Sequence, residues 1–257
     1  MKTIGFVGGG RIARIMLAAW AKAHAMPARV VVSDTDAQVL VRLKQQFASI
    51  ETAAADNLKP AAQDLVILAG HPPALKTALG PLAGAIKPDA VVLSLAPKFT
   101  IAALSGLLGG FTRIARMIPN AASIAGAGYN PLAFAGALGA ADRAALAGLV
   151  APLGACPVVP EENLECYAVV TAMSLTFFWY QMAQLAAVGR AIGLSADEAR
   201  AGVARMAQGA GATFADKSLS EEQILDLIPV KPFAALEAQM AEAYRTTLTA
   251  RFESIKP

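Results

Sequence analysis

The chain has 257 residues, of which 56% are hydrophobic and 16% charged, and its formal net charge at pH 7 is +3. Acidic and basic residues are interspersed, without the basic stripe or aromatic ladder that nucleic-acid binding requires. The two cysteines, Cys156 and Cys166, lack the spacing of metal ligands. We therefore expect no metal site, and the composition favours reduced core thiols in a cytoplasmic protein.

The chain opens with a predicted strand, a glycine turn and a helix. The strand covers Thr3–Gly8 and the helix Ile12–His24, and the pattern G-x-G-x-x-A between them ends at Ala13. Gly8 permits a tight turn, and Gly10 lets the backbone approach a pyrophosphate without a Cβ in the way. The helix N-terminus offers free N–H groups to the phosphates. The turn therefore predicts dinucleotide binding.

Short apolar runs and helical stretches continue to alternate up to residue 159. Further strands are predicted at residues 29–33, 64–69, 90–95, 113–117 and 156–159, and helices at 36–47, 73–85 and 140–153. Continuous β-branched runs indicate strands that are covered on both faces. Alternating strands and helices imply right-handed crossovers and a mostly parallel sheet. The expected fold class is α/β, with a Rossmann-type doubly wound parallel sheet over residues 1–159.

The strand signal disappears after Pro160. A long helix is predicted over residues 161–192, capping boxes at Ser195 and Ser220 begin two more, and a last helix covers about 233–252. Residues 160–257 are therefore predicted to form an all-helical domain for substrate binding and dimerisation.

Part of the long helix also suits a membrane anchor. Residues 166–189 carry no formal charge, and the segment is long enough to span a bilayer. It contains several Thr, Ser and Gln residues and has no flanking basic cluster, so a buried helix in a dimer core is the favoured interpretation.

The second strand ends at Ser33 and Asp34. In dinucleotide folds an acid at this position accepts hydrogen bonds from the adenine ribose hydroxyls, whereas an arginine favours a 2′-phosphate. No Arg or Lys follows until Arg42. The prediction is that NAD(H) is favoured and NADP(H) is possible. Alternatively, Asp34 or Asp36 caps the following helix, and both roles can coexist.

Several segments resemble the pyrroline-5-carboxylate reductase family. They are Ile4–Ala13, Asp64–Pro72, Leu93–Ala96 with Thr100–Leu104, Arg116–Asn120, Gly126 and Gly128, Thr171–Ser174, and Gly193–Leu194. Arg116-Met117-Ile118-Pro119-Asn120 is close to the family signature Arg-x-Met-Pro-Asn. The resemblance implies an N-terminal Rossmann domain and a helical C-terminal domain that pairs with another subunit.

The resemblance also implies where the cofactor lies. Asn57 is similar to an asparagine that the family places by the adenine ribose, and Asn120 is expected near the nicotinamide. The full set of expected cofactor-binding residues is Gly8, Gly9, Gly10, Arg11, Ile12, Ser33, Asp34, Asn57, Ala69, Gly70, His71, Pro72 and Asn120.

The substrate motifs of the family are replaced. Leu175–Tyr180 stands where the family has Gly-Ser-Gly-Pro-Ala-Tyr, and Leu227–Phe233 stands for its Ser-Pro-Gly-Gly-Thr-Thr turn. His71 replaces a lysine, and Pro97-Lys98 replaces Ala-Gly. Bulky side chains thus occupy positions whose backbone N–H groups hold the substrate carboxylate, which predicts a different acceptor.

Five residues are candidates for substrate contact, and no catalytic residue is assigned. Tyr180 could donate a proton to an imine or carbonyl, although a core or interface tyrosine is the favoured interpretation. Lys231 could hold a carboxylate, although an exposed loop lysine is favoured. Ser174 and Thr176 lie where the family's pocket begins, and Asn120 is chosen on its motif.

The sequence therefore predicts an oxidoreductase that transfers hydride from NAD(P)H to a small C=N or C=O acceptor. It would act as a homodimer or higher homo-oligomer through its C-terminal helices, without nucleic-acid or membrane partners. A dinucleotide-binding sensor without turnover is the alternative, and a reductase anchored in a membrane by residues 166–189 is a third.

Overall fold

A computed structural model describes residues 2–257, except for the side chains of Pro72 and Ala74. The chain forms two compact units. The sheet unit comprises the residues up to Ala172 together with Arg251–Pro257, and the helical unit comprises Met173–Ala250.

The sheet unit alternates strands and helices. In chain order they are β1 (Thr3–Val7), α1 (Arg11–Lys22), β2 (Arg29–Asp34), α2 (Ala37–Gln46), β3 (Glu51–Ala54), α3 (Leu58–Ala61), β4 (Leu65–Leu68), α4 (Pro72–Leu82), β5 (Val91–Ser94), α5 (Ile101–Leu107), β6 (Ile114–Met117), β7 (Gly128–Tyr129), β8 (Leu132–Phe134), α6 (Ala140–Val150), β9 (Gly154–Ala155) and α7 (Leu164–Tyr167). The short strands β7 and β9 pair with each other.

Seven strands form the main sheet in the order β3-β2-β1-β4-β5-β6-β8. Neighbours are parallel except for the antiparallel pair β6 and β8. The predicted α/β fold class is confirmed. Because the strand order reverses between β1 and β4, the carboxyl ends of these strands border the crevice in which such folds bind ligands.

The apolar runs became strands because helices cover them on both faces. All four residues of β4 are 0% exposed, and one apolar cluster lies on each side of the sheet. The sequence prediction missed β3, whose Glu-Thr-Ala-Ala pattern suits an exposed edge strand. It also missed β8 and α5. The strand predicted at residues 156–159 is wrong: there Val158 forms only an isolated bridge to Leu132.

The long helix predicted over residues 161–192 is interrupted. It consists of a 3₁₀ turn, α7, a π-helical segment at Ala168–Met173, and α8 (Leu175–Ala191). In the π-helical segment the Thr171 hydroxyl donates to the Tyr167 carbonyl over 2.8 Å. A side chain that bonds back to its own helix competes with the backbone ladder and bends the helix.

The sheet unit continues past the predicted domain boundary at residue 159 because an ion-pair cluster holds the next segment. Arg116 on β6 is 1% exposed, and its guanidinium bonds both Glu161, over 3.0 Å, and Glu165 on α7. These contacts attach residues 161–167 to the sheet. The assignment of residues 160–257 as the substrate and dimerisation domain stays a prediction.

The helical unit contains α8, α9 (Ala196–Phe214), α10 (Glu221–Asp226) and most of α11 (Glu237–Ile255). The predicted capping boxes are confirmed at Ser195 with Glu198 and at Ser220 with Gln223. Across the described residues, no helix combines the length and apolar character that crossing a bilayer requires.

Asp64 links the start of β1 to β4 and gives stability a pH dependence. Its carboxylate accepts a 2.8 Å bond from Lys87 and 3.1 Å bonds from the backbone N–H groups of Lys2 and Thr3. The Lys87 hydrogen bond, followed by these N–H groups, holds the pKa of Asp64 well below its ordinary value.

We expect Asp64→Asn to lower the free energy of unfolding at pH 7 by about 1 kcal/mol or less, because the group is partly solvated. The folded-state pKa is depressed, so the contribution is complete above the unfolded pKa of about 4 and disappears as pH falls below it. Urea unfolding between pH 2 and pH 7 should therefore show wild type and variant converging in acid. Asp89→Asn, at an exposed position of the same unit, is the control. A difference that is constant with pH would contradict the prediction.

Candidate dinucleotide site

The glycine turn is held between the ends of β2 and β4. Gly8 has a φ of +104°, and a Cβ there would lie 2.7 Å from the backbone nitrogen of Gly70. Its N–H donates to the Ser33 carbonyl over 2.9 Å. The left-handed conformation and the close approach of β4 both require glycine at this position.

Gly10 has the opposite surroundings. It caps α1 with an ordinary φ of −67°, and nothing lies within 4 Å of the position that a Cβ would occupy. The first helical bond runs from the Arg14 N–H to the Gly10 carbonyl over 3.2 Å. The N–H groups of residues 11–13 therefore have no partner inside the helix and face the space above Gly10. This open cradle of amides fits a phosphate group.

Asp34 is fixed at the carboxyl end of β2. One carboxylate oxygen accepts a 2.8 Å bond from the Gly9 N–H, and the other accepts a 2.9 Å bond from the Asp36 N–H. Asp36 in turn caps α2 by accepting from the Gln38 N–H. The capping role considered for Asp36 is therefore present, whereas Asp34 braces the glycine turn and its half-buried carboxylate borders the crevice.

Ser33 and Asn57 form a pair below this edge. Ser33 is 0% exposed, and its hydroxyl lies 2.6 Å from the Asn57 side-chain oxygen and 3.3 Å from the Phe6 carbonyl oxygen. Ser33 therefore orients Asn57, whose half-buried side chain reaches the surface of the crevice. Because the Ser33 side chain is buried, it would act on a cofactor only through Asn57.

The end of β4 forms the opposite wall. Ala69 and Gly70 are partly exposed, and His71 is exposed at the start of α4, with no side-chain bond to the helix among the described residues. Pro72 is the first residue of α4, but its side chain lies outside the described part of the chain. The backbone at Ala69–His71 is thus available to a ligand that sits on the glycine turn.

A groove of about 540 Å³ adjoins the turn. Its walls come from the glycine turn, from the facing sides of α1 and α2, and from the start of α4. The lining residues are Gly9, Gly10, Arg11, Arg14, Val39, Arg42, Leu43, Gln46 and His71. The sequence prediction included Arg11 and His71 but missed Arg14, Arg42 and Gln46. Helical spacing places Arg11 and Arg14 on one face of α1, and that was the available signal.

Asn120 follows β6 and is only 4% exposed. Its side-chain oxygen accepts from the Ala122 N–H over 2.9 Å, and its amide nitrogen donates to the Thr171 carbonyl over 2.8 Å. The backbone N–H of Asn120 donates to the fully buried Asn130. The Asn120 amide nitrogen thus connects the end of β6 to the π-helical segment, and its oxygen caps the turn that follows. Both ends of the amide are engaged, so the residue positions this edge of the sheet.

Lys98, just beyond β5, has a backbone conformation that is unusual for a lysine. Its φ is +73°, in the left-handed region where a Cβ costs about 1–2 kcal/mol. Its N–H lies 3.4 Å from the carboxylate of the buried Glu165. Strain of this kind collects at functional sites and persists only when the surroundings impose it. The exposed side chain of Lys98 is a site candidate that the sequence prediction did not select.

Comparisons with known proteins agree with this geometry. A family model described as NADP oxidoreductase, coenzyme F420-dependent, matches residues 3–107. The pyrroline-5-carboxylate reductase of Pseudomonas aeruginosa is 26% identical over 198 residues, which are 76% of this chain and 72% of that protein. The chain resembles the pyrroline-5-carboxylate reductases.

Solved structures show the same fold over the whole chain. A pyrroline-5-carboxylate reductase from Coxiella burnetii has a TM-score of 0.76 at 22% identity, covering 99% of this chain and 98% of that one. A Plasmodium falciparum pyrroline carboxylate reductase, solved with NADP bound, has a TM-score of 0.79 at 15% identity, covering 98% and 95%. These two structures share the fold of this chain, and the family model and the curated relatives make the chain similar to NAD(P)-dependent oxidoreductases of the pyrroline-5-carboxylate reductase type.

The other substrate candidates of this reductase-like chain lie in the helical unit. Ser174 is buried, whereas Tyr180 is 65% exposed, so the two do not share one surface of α8. The Thr176 hydroxyl donates to the Met173 carbonyl over 2.7 Å. Lys231 lines a surface groove together with Glu221, Glu222 and Asp226, among other residues. The acidic neighbours of Lys231 oppose binding of a carboxylate there, and the substrate roles stay predictions.

The cysteines differ from the expectation of core thiols. Cys156 is half-buried, and burial raises the pKa of its thiol. Cys166 is exposed on α7. The expectation came from cysteine number and spacing, which carry no information on which side of a helix is buried; Leu164 and Glu165 form the buried side of this short helix.

Proposed function

We propose that this chain reduces a C=N or C=O bond of a small molecule with hydride from a nicotinamide dinucleotide. The open cradle above Gly10 carries the proposal: amide donors at a helix N-terminus meet the carboxyl ends of β1 and β4, and no side chain fills the space. The bound cofactor would supply the hydride. The chain's own residues would hold its phosphates at Gly8–Ile12, its adenine ribose at Asp34 and Asn57, and its nicotinamide half toward Ala69–Pro72 and Asn120.

The acceptor we propose is bulkier or more apolar than pyrroline-5-carboxylate. The resemblance implies that small residues hold the substrate carboxylate in the family, and this chain has Leu175–Tyr180 and Leu227–Phe233 at those positions. Aromatic side chains suit an apolar pocket wall, and they remove the close approach to backbone N–H groups that a carboxylate needs.

A two-stage experiment tests this function. NADH and NADPH are first titrated by fluorescence, and cyclic imines, imino acids and α-keto acids are then screened for cofactor oxidation. We expect micromolar or tighter cofactor binding and oxidation with at least one apolar imine or keto acid. Binding without oxidation across the panel would favour the dinucleotide-binding sensor, and faster turnover of pyrroline-5-carboxylate than of every other compound would refute a different acceptor.

Coenzyme choice depends on Asp34 and its surroundings. An acidic side chain at the end of β2 supports NAD(H), since it can accept hydrogen bonds from ribose hydroxyls and would repel a 2′-phosphate. The arginines of the adjoining groove would attract a 2′-phosphate and so favour NADP(H).

We also propose that the helical unit pairs with a second copy of the chain. Among residues 173–250, all of which are described, only Ser174, Gly189 and Ala199 are buried. Large apolar side chains are exposed instead, including Phe178 at 54% and Ile192 at 78%. Three buried residues do not make a core, and obligate dimer interfaces resemble a domain core cut in half. A symmetric partner would complete this unit.

Sedimentation should therefore give twice the 26.4 kDa chain mass. We expect Ile192→Asp to shift the species toward monomer by at least tenfold in dissociation constant, because it buries a charge in an apolar interface. Val158→Asp, at a 66% exposed position in the sheet unit, should leave the mass unchanged. A monomeric wild-type chain that unfolds cooperatively would contradict the proposal.

A further inference from the structure

The groove beside the glycine turn concentrates positive charge. Arg11 and Arg14 reach it from α1, and Arg42 reaches it from α2. In the part of the chain that the structure describes, none of these three guanidinium groups has a hydrogen-bond or ion-pair partner. The lining residues of the groove include no carboxylate.

Most other arginines of the sheet unit are engaged. Arg29 bonds Glu51, Arg113 bonds Asp142, and Arg116 bonds Glu161, while Arg143 bonds backbone carbonyls. The groove therefore differs in bringing three arginines without carboxylate partners to one surface. Three like charges along one groove repel one another, and an anionic ligand relieves that repulsion. A guanidinium presents planar donors that match phosphate oxygens, so phosphate is the ligand chemistry that this set fits.

The groove lies where the adenosine half of the cofactor would extend. It begins at Gly9 and Gly10, which would hold the pyrophosphate, and it runs along α2 through Val39 and Arg42. The helix α2 starts directly after Asp34 and Asp36, at the end of β2 that marks the adenine ribose. A phosphate on the ribose 2′-hydroxyl would enter this groove, beyond the pyrophosphate cradle.

Asp34 opposes such a phosphate less than its charge alone suggests. Its two oxygens already accept backbone N–H bonds from Gly9 and Asp36, which partly neutralise the carboxylate. Asp36 is likewise engaged by the Gln38 N–H at the start of α2. Three guanidinium groups against these two braced carboxylates leave a net positive charge at the site.

We infer that Arg11, Arg14 and Arg42 bind the 2′-phosphate of NADP(H), and that the chain prefers NADP(H) to NAD(H). The inference rests on the proposed dinucleotide-dependent function and names the specificity device within that site. It replaces the preference for NAD(H) that Asp34 alone suggested.

Binding titrations test the inference without reference to turnover. We expect wild type to bind NADPH at least tenfold more tightly than NADH, and adenosine 2′,5′-bisphosphate to displace NADPH at lower concentration than 5′-AMP does. Arg42→Gln and Arg14→Gln should each weaken NADPH binding by about 10- to 100-fold, the range expected for a lost charge-assisted hydrogen bond. Their NADH affinity should stay within about twofold of wild type, since a single screened charge away from the ligand contributes little.

The control variant is Arg200→Gln, which removes an exposed arginine from α9 and should change neither affinity. Thermal melting establishes that each variant is folded. Equal affinity of wild type for the two coenzymes, or variants that weaken both coenzymes equally, would overturn the inference while leaving the proposed function intact. Failure of wild type to bind either coenzyme would overturn both.

Discussion

Gly10→Val is expected to abolish cofactor binding while the protein remains folded. The backbone at Gly10 has φ −67° and ψ −162°, a conformation open to any residue, and a Cβ would meet nothing within 4 Å. The side chain would instead occupy the cradle that the first N–H groups of α1 form for a phosphate. Loss of those contacts should weaken NADPH and NADH alike by at least about 100-fold, roughly 2.7 kcal/mol.

Fluorescence titration measures the affinity of Gly10→Val for each coenzyme. Urea unfolding measures its free energy of unfolding, which should change by less than about 0.5 kcal/mol, as for ordinary surface substitutions. Gly139→Val is the matched control: Gly139 caps α6 with φ −67° and ψ 166°, and its only neighbour within 4 Å of a Cβ position is an Asp142 oxygen at 4.0 Å. Gly8 would not serve as the test, because a Cβ there meets the backbone of Gly70 and disturbs the fold itself. Unchanged affinity in Gly10→Val would contradict the placement of the phosphates.

Glu165→Ala should cost about 3–5 kcal/mol of unfolding free energy, the range for removing one partner of a buried ion pair. Arg116 and Glu165 have side chains that are 1% and 3% exposed. After the change, Arg116 keeps only Glu161, which is 29% exposed, and its buried Nε already lacks a hydrogen-bond partner among the described residues. The variant therefore leaves the buried Arg116 guanidinium without its buried carboxylate partner.

A double-mutant cycle with the single variants Arg116→Met and Glu165→Leu separates the interaction energy of the ion pair from the cost of leaving one charge buried without its partner. Arg116→Met together with Glu165→Leu removes both buried charges, so we expect it to cost less than the two single changes added together. Glu161→Gln, at the more exposed position, should cost about 1 kcal/mol. Equal and additive losses for the two buried positions would mean that Arg116 and Glu165 do not interact in the folded state.

The same cluster explains why the domain boundary could not be placed from the sequence. The end of the strand pattern near residue 159 is a local signal, whereas the extent of the compact unit depends on Glu161 and Glu165 reaching back to Arg116. Likewise, the apolar character of residues 166–189 predicts one continuous helix, but the structure has a π-helical segment at Ala168–Met173, in which Thr171 bonds the Tyr167 carbonyl and the Asn120 side chain.

Features that depend on neighbouring residues could be predicted from the sequence: the glycine turn between β1 and α1, the buried parallel strands, and the capping boxes at Ser195 and Ser220. Their causes are backbone conformation, burial periodicity and hydrogen bonds over three residues, all of which can be predicted from spacing along the chain.

Which charged side chains lie close together could be read only from the tertiary structure. Arg11 and Arg42 belong to different helices, and their approach at one groove follows from the packing of α1 and α2 on the same sheet rather than from either segment's sequence. Asp34 considered alone predicts NAD(H), and the arginines that meet in the groove are the observation from which we propose NADP(H) instead.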